Sequence, residues 1–258
     1  MSDRNRPGPA KGGERNIKLL VAYDGSSYCG WQRQKDRKSV QGEIEAALEK
    51  IHGHPAPLTG AGRTDSGVHA AGQTANFYSS IKSMDPGRFR PALNGLLPAS
   101  IRVLDSREVP PDFHARFDAR SRSYRYFFVS SREVSPREKQ CALVLKRRPD
   151  IALLNAYARL FRGEFDCRVF AVPRDLSKSR SRHIYGAYFF MEGQKLVFEI
   201  RANAFLWKMV RSIAGTILFY EERKIPPEEF RRVIVSGKRE LAGPTLPPDG
   251  LFLWQVEY

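Results

Sequence analysis

Gly60-Ala61-Gly62-Arg63-Thr64-Asp65-Ser66-Gly67-Val68-His69 is a glycine-rich turn, with an apparent strand entering it and another leaving. Glycine adopts positive φ without steric cost, so such a turn can bend sharply and admit a ligand close to its backbone. Arg63 and Asp65 stand two residues apart in it. An arginine beside a buried carboxylate keeps that carboxylate ionised, the state an anionic nucleophile needs. The plainer reading is an Asx-turn, with Asp65 bonding its own backbone and Arg63 facing water. The pattern on either side shows what kind of fold carries the turn.

Upstream, Ile17–Tyr23 is a short apolar run ending at Asp24-Gly25, a strand followed by a turn. Ser39 opens a helix in which Val40, Ile44, Leu48 and Ile51 recur every three or four positions, and Gly53 stops it. Leu58–Ala61 and Gln73–Tyr78 read as the strands flanking the turn. Pro86–Leu97 reads as a second helix and Ile101–Val109 as a closing strand. The second half repeats the order. Ser123–Ser130 is β-prone, Pro149–Phe161 helical, and Ile184–Met191 with Leu196–Ile200 a hairpin. Phe205–Tyr220 is an apolar helix, Pro227–Ser236 an extra short one, and Leu251–Tyr258 a final strand. Both halves read β-α-β-β-α-β, the ferredoxin-like pattern. The expected fold is α+β: two ferredoxin-like halves with their sheets side by side, helices on one side and a binding cleft on the other. The expected divisions are a disordered basic tail at 1–14, an N-terminal half at 15–111 carrying the turn, and a C-terminal half at 112–258.

Charge narrows the partners. Lys and Arg number 43 against 28 Asp and Glu, a net charge of +15 over 258 residues, which implies a polyanionic partner such as nucleic acid. No apolar run approaches the ~18 residues of a membrane span, and residues 1–14 lack the apolar core of a secretory signal. Three widely spaced cysteines, Cys29, Cys141 and Cys167, suit a reducing cytoplasm. The five histidines lack metal-ligand spacing, no G-x-G-x-x-G follows a strand, and Trp31-Gln32 replaces the Lys-Ser/Thr of a P-loop. These absences point to chemistry without metal, nucleotide or flavin.

Aromatic and basic residues interleave at Arg116, Arg120, Arg122, Tyr124, Arg125, Tyr126, Phe127 and Phe128. On a strand, Tyr124, Tyr126 and Phe128 share one face, and Arg125 and Phe127 the other. Such surfaces stack unpaired RNA bases, although Tyr126, Phe127 and Phe128 are better read as sheet core. Tyr124, at the strand's start, is the ring expected to be exposed. A second basic run, Arg174–His183, reads either as a phosphate-contacting loop or as a solvated charged one. In the helix after Asn203, Lys208 and Arg211 are costly to bury without an anionic partner.

Gly62-Arg63-Thr64-Asp65-Ser66-Gly67-Val68-His69 resembles the catalytic loop of the tRNA pseudouridine synthase A family. The resemblance runs along almost the whole chain, through Tyr23-Asp24-Gly25, Gly30-Trp31-Gln32-Arg33-Gln34, Ser39-Val40-Gln41 and Gly72-Gln73. It continues through Asp112-Phe113-His114-Ala115-Arg116-Phe117, Tyr124-Arg125-Tyr126, Ala202-Asn203-Ala204-Phe205, Met209-Val210-Arg211 and Gly250-Leu251. Phe165–Phe170 and Ser177–His183 depart from the family's pattern. The resemblance implies cofactor-free isomerisation of uridine to pseudouridine at positions 38 to 40 of the tRNA anticodon arm, by a cytoplasmic homodimer. It implies Asp65 as nucleophile, Tyr124 packing on the uracil, Arg63 holding the flipped-out nucleotide, and Arg211 pairing with Asp65. The candidate substrate-binding set is Tyr124, Arg63, His69, Gln73, Phe205 and Arg125. A catalytically inert RNA-binding module and a sister synthase acting on other RNAs are the alternatives.

Overall fold

The computed structural model describes residues 13–130, 134–135, 141–172, 175, 177 and 179–258. Residues 1–12 of the expected tail, and Arg174 and Lys178 of the second basic run, lie outside the described residues. The chain divides into two compact units, Met1–Arg120 with Leu253–Tyr258, and Ser121–Phe252.

In the first unit, β1 (Arg15–Tyr23) is central and pairs antiparallel with both β3 (His69–Ser79) and β4 (Ile101–Val109). A two-residue β2 (Thr59–Gly60) adds to β3, and the closing strand β10 (Leu251–Glu257) is also β3's neighbour. Alternation along β1 buries Ile17, Leu19 and Val21 completely. Helix α1 (Val40–His52) and helix α2 (Phe89–Leu96) bring Ile44, Leu48, Phe89 and Leu93 into the same core. The rings of His52, Phe77 and Phe89 meet there at centroid distances of 5.4 to 5.8 Å. α1 is capped as its sequence requires. Ser39 Oγ accepts from Gly42 N–H, and Gly53 at φ +72° donates back to the Glu49 carbonyl.

Buried amides hold residues 110–115 in this unit. Asn16 Nδ2 donates to the carbonyls of Pro110 and Phe113, and Asn76 Oδ1 accepts from Ala115 N–H. The chain's last residues return to the same place. Glu257 C=O accepts from Arg120 N–H, and Tyr258 Oη donates to Ala115 C=O, both at 2.8 Å.

In the second unit, β5 (Ser121–Ser130) pairs antiparallel with β9 (Lys195–Ala202), β9 with β8 (Ser181–Glu192), and β8 with β7 (Gly163–Asp166). A short β6 (Leu143–Leu145) runs parallel to the end of β5. Helices α3 (Ile151–Ala158), α4 (Met209–Glu222) and α5 (Pro227–Ser236) supply much of the rest. Tyr157, Phe161, Tyr220 and Phe230 form an aromatic cluster among them. Glu221, buried on α4, accepts from the Arg147 guanidinium and from Asp150 N–H. Asp150 in turn caps α3, so one carboxylate ties two helices together.

Two short strands, β6 and β7, went unread in the sequence, and the helix expected over Phe205–Tyr220 begins only at Met209. Lys208 sits in left-handed backbone at φ +60°, and Met209 N–H closes a turn onto Leu206 C=O. That turn puts Phe205, Leu206 and Trp207 outside the helix.

Candidate active site

The loop Ala61–Val68 joins β2 to β3 and is held by backbone at almost every step. Ala61 N–H donates to Thr74 C=O at 2.8 Å. The fully buried Gln73 side chain brackets Gly62, donating to its carbonyl at 2.8 Å and accepting its N–H at 3.3 Å. Thr64 C=O accepts from Trp31 N–H, and its hydroxyl shares a 2.8 Å hydrogen bond with Tyr23 Oη. Val68 N–H then closes a tight turn onto Asp65 C=O, with Gly67 at φ +79° in its third position, where glycine is favoured.

The upstream segment explains how the loop can sit so low. A Cβ on Gly30, whose φ is +95°, would stand 2.5 Å from Thr64 O, and one on Gly25 2.0 Å from Val68 O. Ser66 Oγ and Gly67 N–H both reach the Tyr28 carbonyl. The result is a fixed pedestal. Thr64 is buried, Asp65 half-buried and Arg63 exposed, so the carboxylate and the guanidinium are presented from a backbone with little freedom. Arg63 has a neighbour that the sequence reading did not pair with it. The Arg116 guanidinium is held below its usual pKa by partial burial and then by the like charge of Arg63. Two cations set together on this unit create a field that favours a phosphate. The signal was there in Phe113-His114-Ala115-Arg116, but spacing alone gave no reason to join it to Arg63.

His69 and Gln73, both in the expected substrate-binding set, are buried. His69 Nδ1 lies 3.2 Å from both Gly25 N and Asp24 Oδ1. Burial pushes the Asp24 carboxyl up. Hydrogen bonds from Ser26 N–H and Oγ, together with the His69 ring, outweigh it and leave Asp24 below its usual value. Gln73 thus holds the loop at Gly62, and His69 holds the Asp24-Gly25 turn.

In the second unit, Tyr124 is 9% exposed, so its ring is not the open one expected from the start of a strand. β5 begins three residues earlier, at Ser121, and Phe205 packs edge-on against the Tyr124 ring at 5.1 Å. Tyr126 and Phe128 stack at 4.7 Å as core residues, and burial of the Tyr126 phenol raises its pKa. Arg125 lies on the other face of β5. Its Nε donates to Glu199 at 2.6 Å, a second nitrogen reaches Glu192, and it overlies the Phe190 ring. This places it on the strand face opposite Tyr124, as the alternation of side chains along a strand requires. Arg211, in the first turn of α4, donates through Nε to Leu246 C=O at 2.7 Å. That bond fixes the Nε edge of the guanidinium. Among the described residues there is no cluster of His, Cys, Asp and Glu able to hold a metal ion, and no helix long and apolar enough to cross a membrane.

Comparison with known proteins accords with these features. A family described as tRNA pseudouridine synthase matches residues 19–118 and 157–258. A tRNA pseudouridine synthase A of Treponema denticola is 50% identical over 95% of this chain and 93% of its own length. That of Treponema pallidum is 46% identical over 89% of this chain and 84% of its own. That of Caldicellulosiruptor bescii is 39% identical over 95% and 100%. Among solved structures, an archaeal box H/ACA sRNP Nop10–Cbf5 complex covers 87% of this chain and 69% of its own. Its 11% identity and TM-score of 0.28 are too slight to bear on the argument. With the matched segments spanning the anchored Asp65 loop and the helix that carries Arg211 alike, the chain belongs to the tRNA pseudouridine synthase family.

Proposed function

We propose that this enzyme isomerises uridine to pseudouridine at positions 38 to 40 of the tRNA anticodon arm, with Asp65 as the nucleophile. The carrying observation is the pedestal. A carboxylate on a loop fixed by Gln73, Trp31, Tyr23 and two closely approached glycines needs little reorganisation to meet its target. The carboxylate attacks the target nucleotide, at ribose or base, and the N1–C1′ bond breaks. The freed uracil rotates, C5 bonds to C1′, the C5 proton is lost, N1 regains one, and the bond between Asp65 and the nucleotide breaks to return the free carboxylate. Atoms balance with no oxidant, reductant or cofactor.

Tyr124 packs on the uracil, Arg63 holds the nucleotide out of its stack, and Arg211 is the basic residue that pairs with Asp65. Since Phe205 packs on the Tyr124 ring, we give Phe205 the role of holding that tyrosine in place. The net charge of +15 supports capture of a folded polyanion. We further propose that each half is ferredoxin-like. In the first unit the order β4-β1-β3, with β2 on β3, supports this, and in the second the β5-β9-β8 order with α3 and α4 does. A cytoplasmic homodimer completes the reading.

The test is tritium release from tRNA transcripts carrying [5-³H]uridine, comparing the protein with Asp65→Ala. Release by the first alone, with tRNA binding kept by both, is the expected result. Binding without release by either protein favours an inert RNA-binding module. Release only from other structured RNAs favours a sister synthase.

A further inference from the structure

Just before α4 the chain makes a turn that composition does not call for. Met209 N–H bonds to Leu206 C=O at 3.1 Å, and the turn's third residue is Lys208 at φ +60°, ψ 9°. That position is the natural one for glycine, and a lysine there is strained. Strain kept in a folded chain is a reason to look for a use. The turn is pinned from outside itself, since Asp175 Oδ2 accepts from Trp207 N–H at 2.7 Å. Burial pushes the Asp175 carboxyl up, and this bond, with those from Ser177 and the charge of Arg182, brings it below its usual value. It therefore holds the turn as an anion.

The pinned turn presents Trp207, which is 43% exposed although it is the largest apolar side chain in the segment. The Lys208 ammonium lies 5.1 Å from the indole centroid. At the other end of the same segment, Phe205 packs against Tyr124. Asn203 anchors that end, accepting from Arg122 at its carbonyl and from His183 N–H at its side chain. One short segment thus carries the support of Tyr124 at one end and an exposed indole with an adjacent cation at the other. An aromatic platform beside a cation is the arrangement that takes an unpaired nucleobase and its phosphate.

We propose that Trp207, held by Asp175 and accompanied by Lys208, stacks on an unpaired base of the substrate RNA next to the target nucleotide. It thereby discriminates a loop or opened stem from a closed duplex. The proposal rests on the tRNA-modifying reading above and adds a specificity-determining residue to it.

The experiment titrates the full-length protein with an anticodon stem-loop RNA and, separately, with a blunt RNA duplex of equal length. Indole emission and Kd are both followed. The wild-type protein is expected to be quenched by the stem-loop and little by the duplex, with the quench lost in Trp207→Phe. Trp207→Ala is expected to weaken stem-loop binding roughly tenfold or more while duplex binding holds, and Trp207→Phe to keep most of the affinity. An unchanged Kd, or an equal loss for both RNAs, overturns the proposal. So does a change in oligomeric state on ultracentrifugation of Trp207→Ala, which assigns the indole to a second copy. If Trp207→Ala does not fold, the quench and the Trp207→Phe titration decide alone. Absence of tritium release by the wild-type protein counts against the parent reading, whereas an active wild type with an indifferent Trp207→Ala counts against this proposal only.

Discussion

Gln73 shows how much of the Asp65 loop's geometry depends on one buried side chain. Its amide is fully buried and satisfies both backbone groups of Gly62, one residue before Arg63 and three before Asp65. Replacing it with leucine keeps the volume but leaves a buried N–H and C=O without partners. The expected cost is about 2–4 kcal/mol of stability by urea denaturation. The same loosening lets the carboxylate drift, so kcat is expected to fall on the order of 10- to 100-fold with KM for tRNA nearly unchanged. A KM that rises with kcat constant instead makes Gln73 a direct substrate contact. Sequence pointed to Gln73 only through its position after the loop. Its inward orientation comes from β3, which buries both faces along most of its length.

At the level of elements, what could be read was whatever the local pattern controls. β1 alternates and α1 carries both its caps, so both were visible in the sequence. β6 and β7 have three and four residues, too few for a period, and exist because a neighbouring strand offers them partners. The start of α4 was hidden for a different reason. Phe205-Leu206-Trp207 continues the apolar composition of the helix, and only the backbone at Lys208 shows that the chain turns there. The glycine-rich loop was legible because its glycines mark sharp turns and close approaches. Which side chains Tyr124 and Arg125 meet was not, since that depends on Phe205, Glu199 and Glu192 arriving from distant sequence. Lys208→Gly isolates the strain. Removing the left-handed penalty is expected to raise stability by about 0.5–1 kcal/mol, partly offset by the entropy of glycine in the unfolded chain. The same change deletes the ammonium beside Trp207, so thermal denaturation is expected to show a gain while stem-loop affinity drops. A loss of stability means that Lys208 makes a contact worth more than its strain.

Across the whole molecule, the decisive feature is that the last six residues belong with the first unit although the chain reaches them through the second. Leu253–Tyr258 supplies β3 with a neighbour on the strand that carries Gln73. The approach is close, since a Cβ on Gly72 would stand 2.4 Å from Trp254 O. Tyr258 packs on Phe113 at 4.9 Å, receives the Lys18 ammonium over its ring at 4.3 Å, and bonds Ala115 C=O. The end of the chain thus braces both the strand behind the Asp65 loop and the segment that carries Arg116. A protein ending at Phe252 loses all of this while every residue of the second unit stays. Hydrogen exchange is expected to show lost protection in β1 and β3 and near-native protection in β8 and β9, with tritium release abolished. Tyr258→Phe removes one hydrogen bond and keeps the ring, so it is expected to cost only about 1 kcal/mol and leave turnover close to normal. Uniform loss of protection in the truncated chain means that the two units fold as one cooperative body, with the final strand bracing both. Full protection of β3 means that the Asp65 loop is supported from its own unit's core and the terminal strand is dispensable.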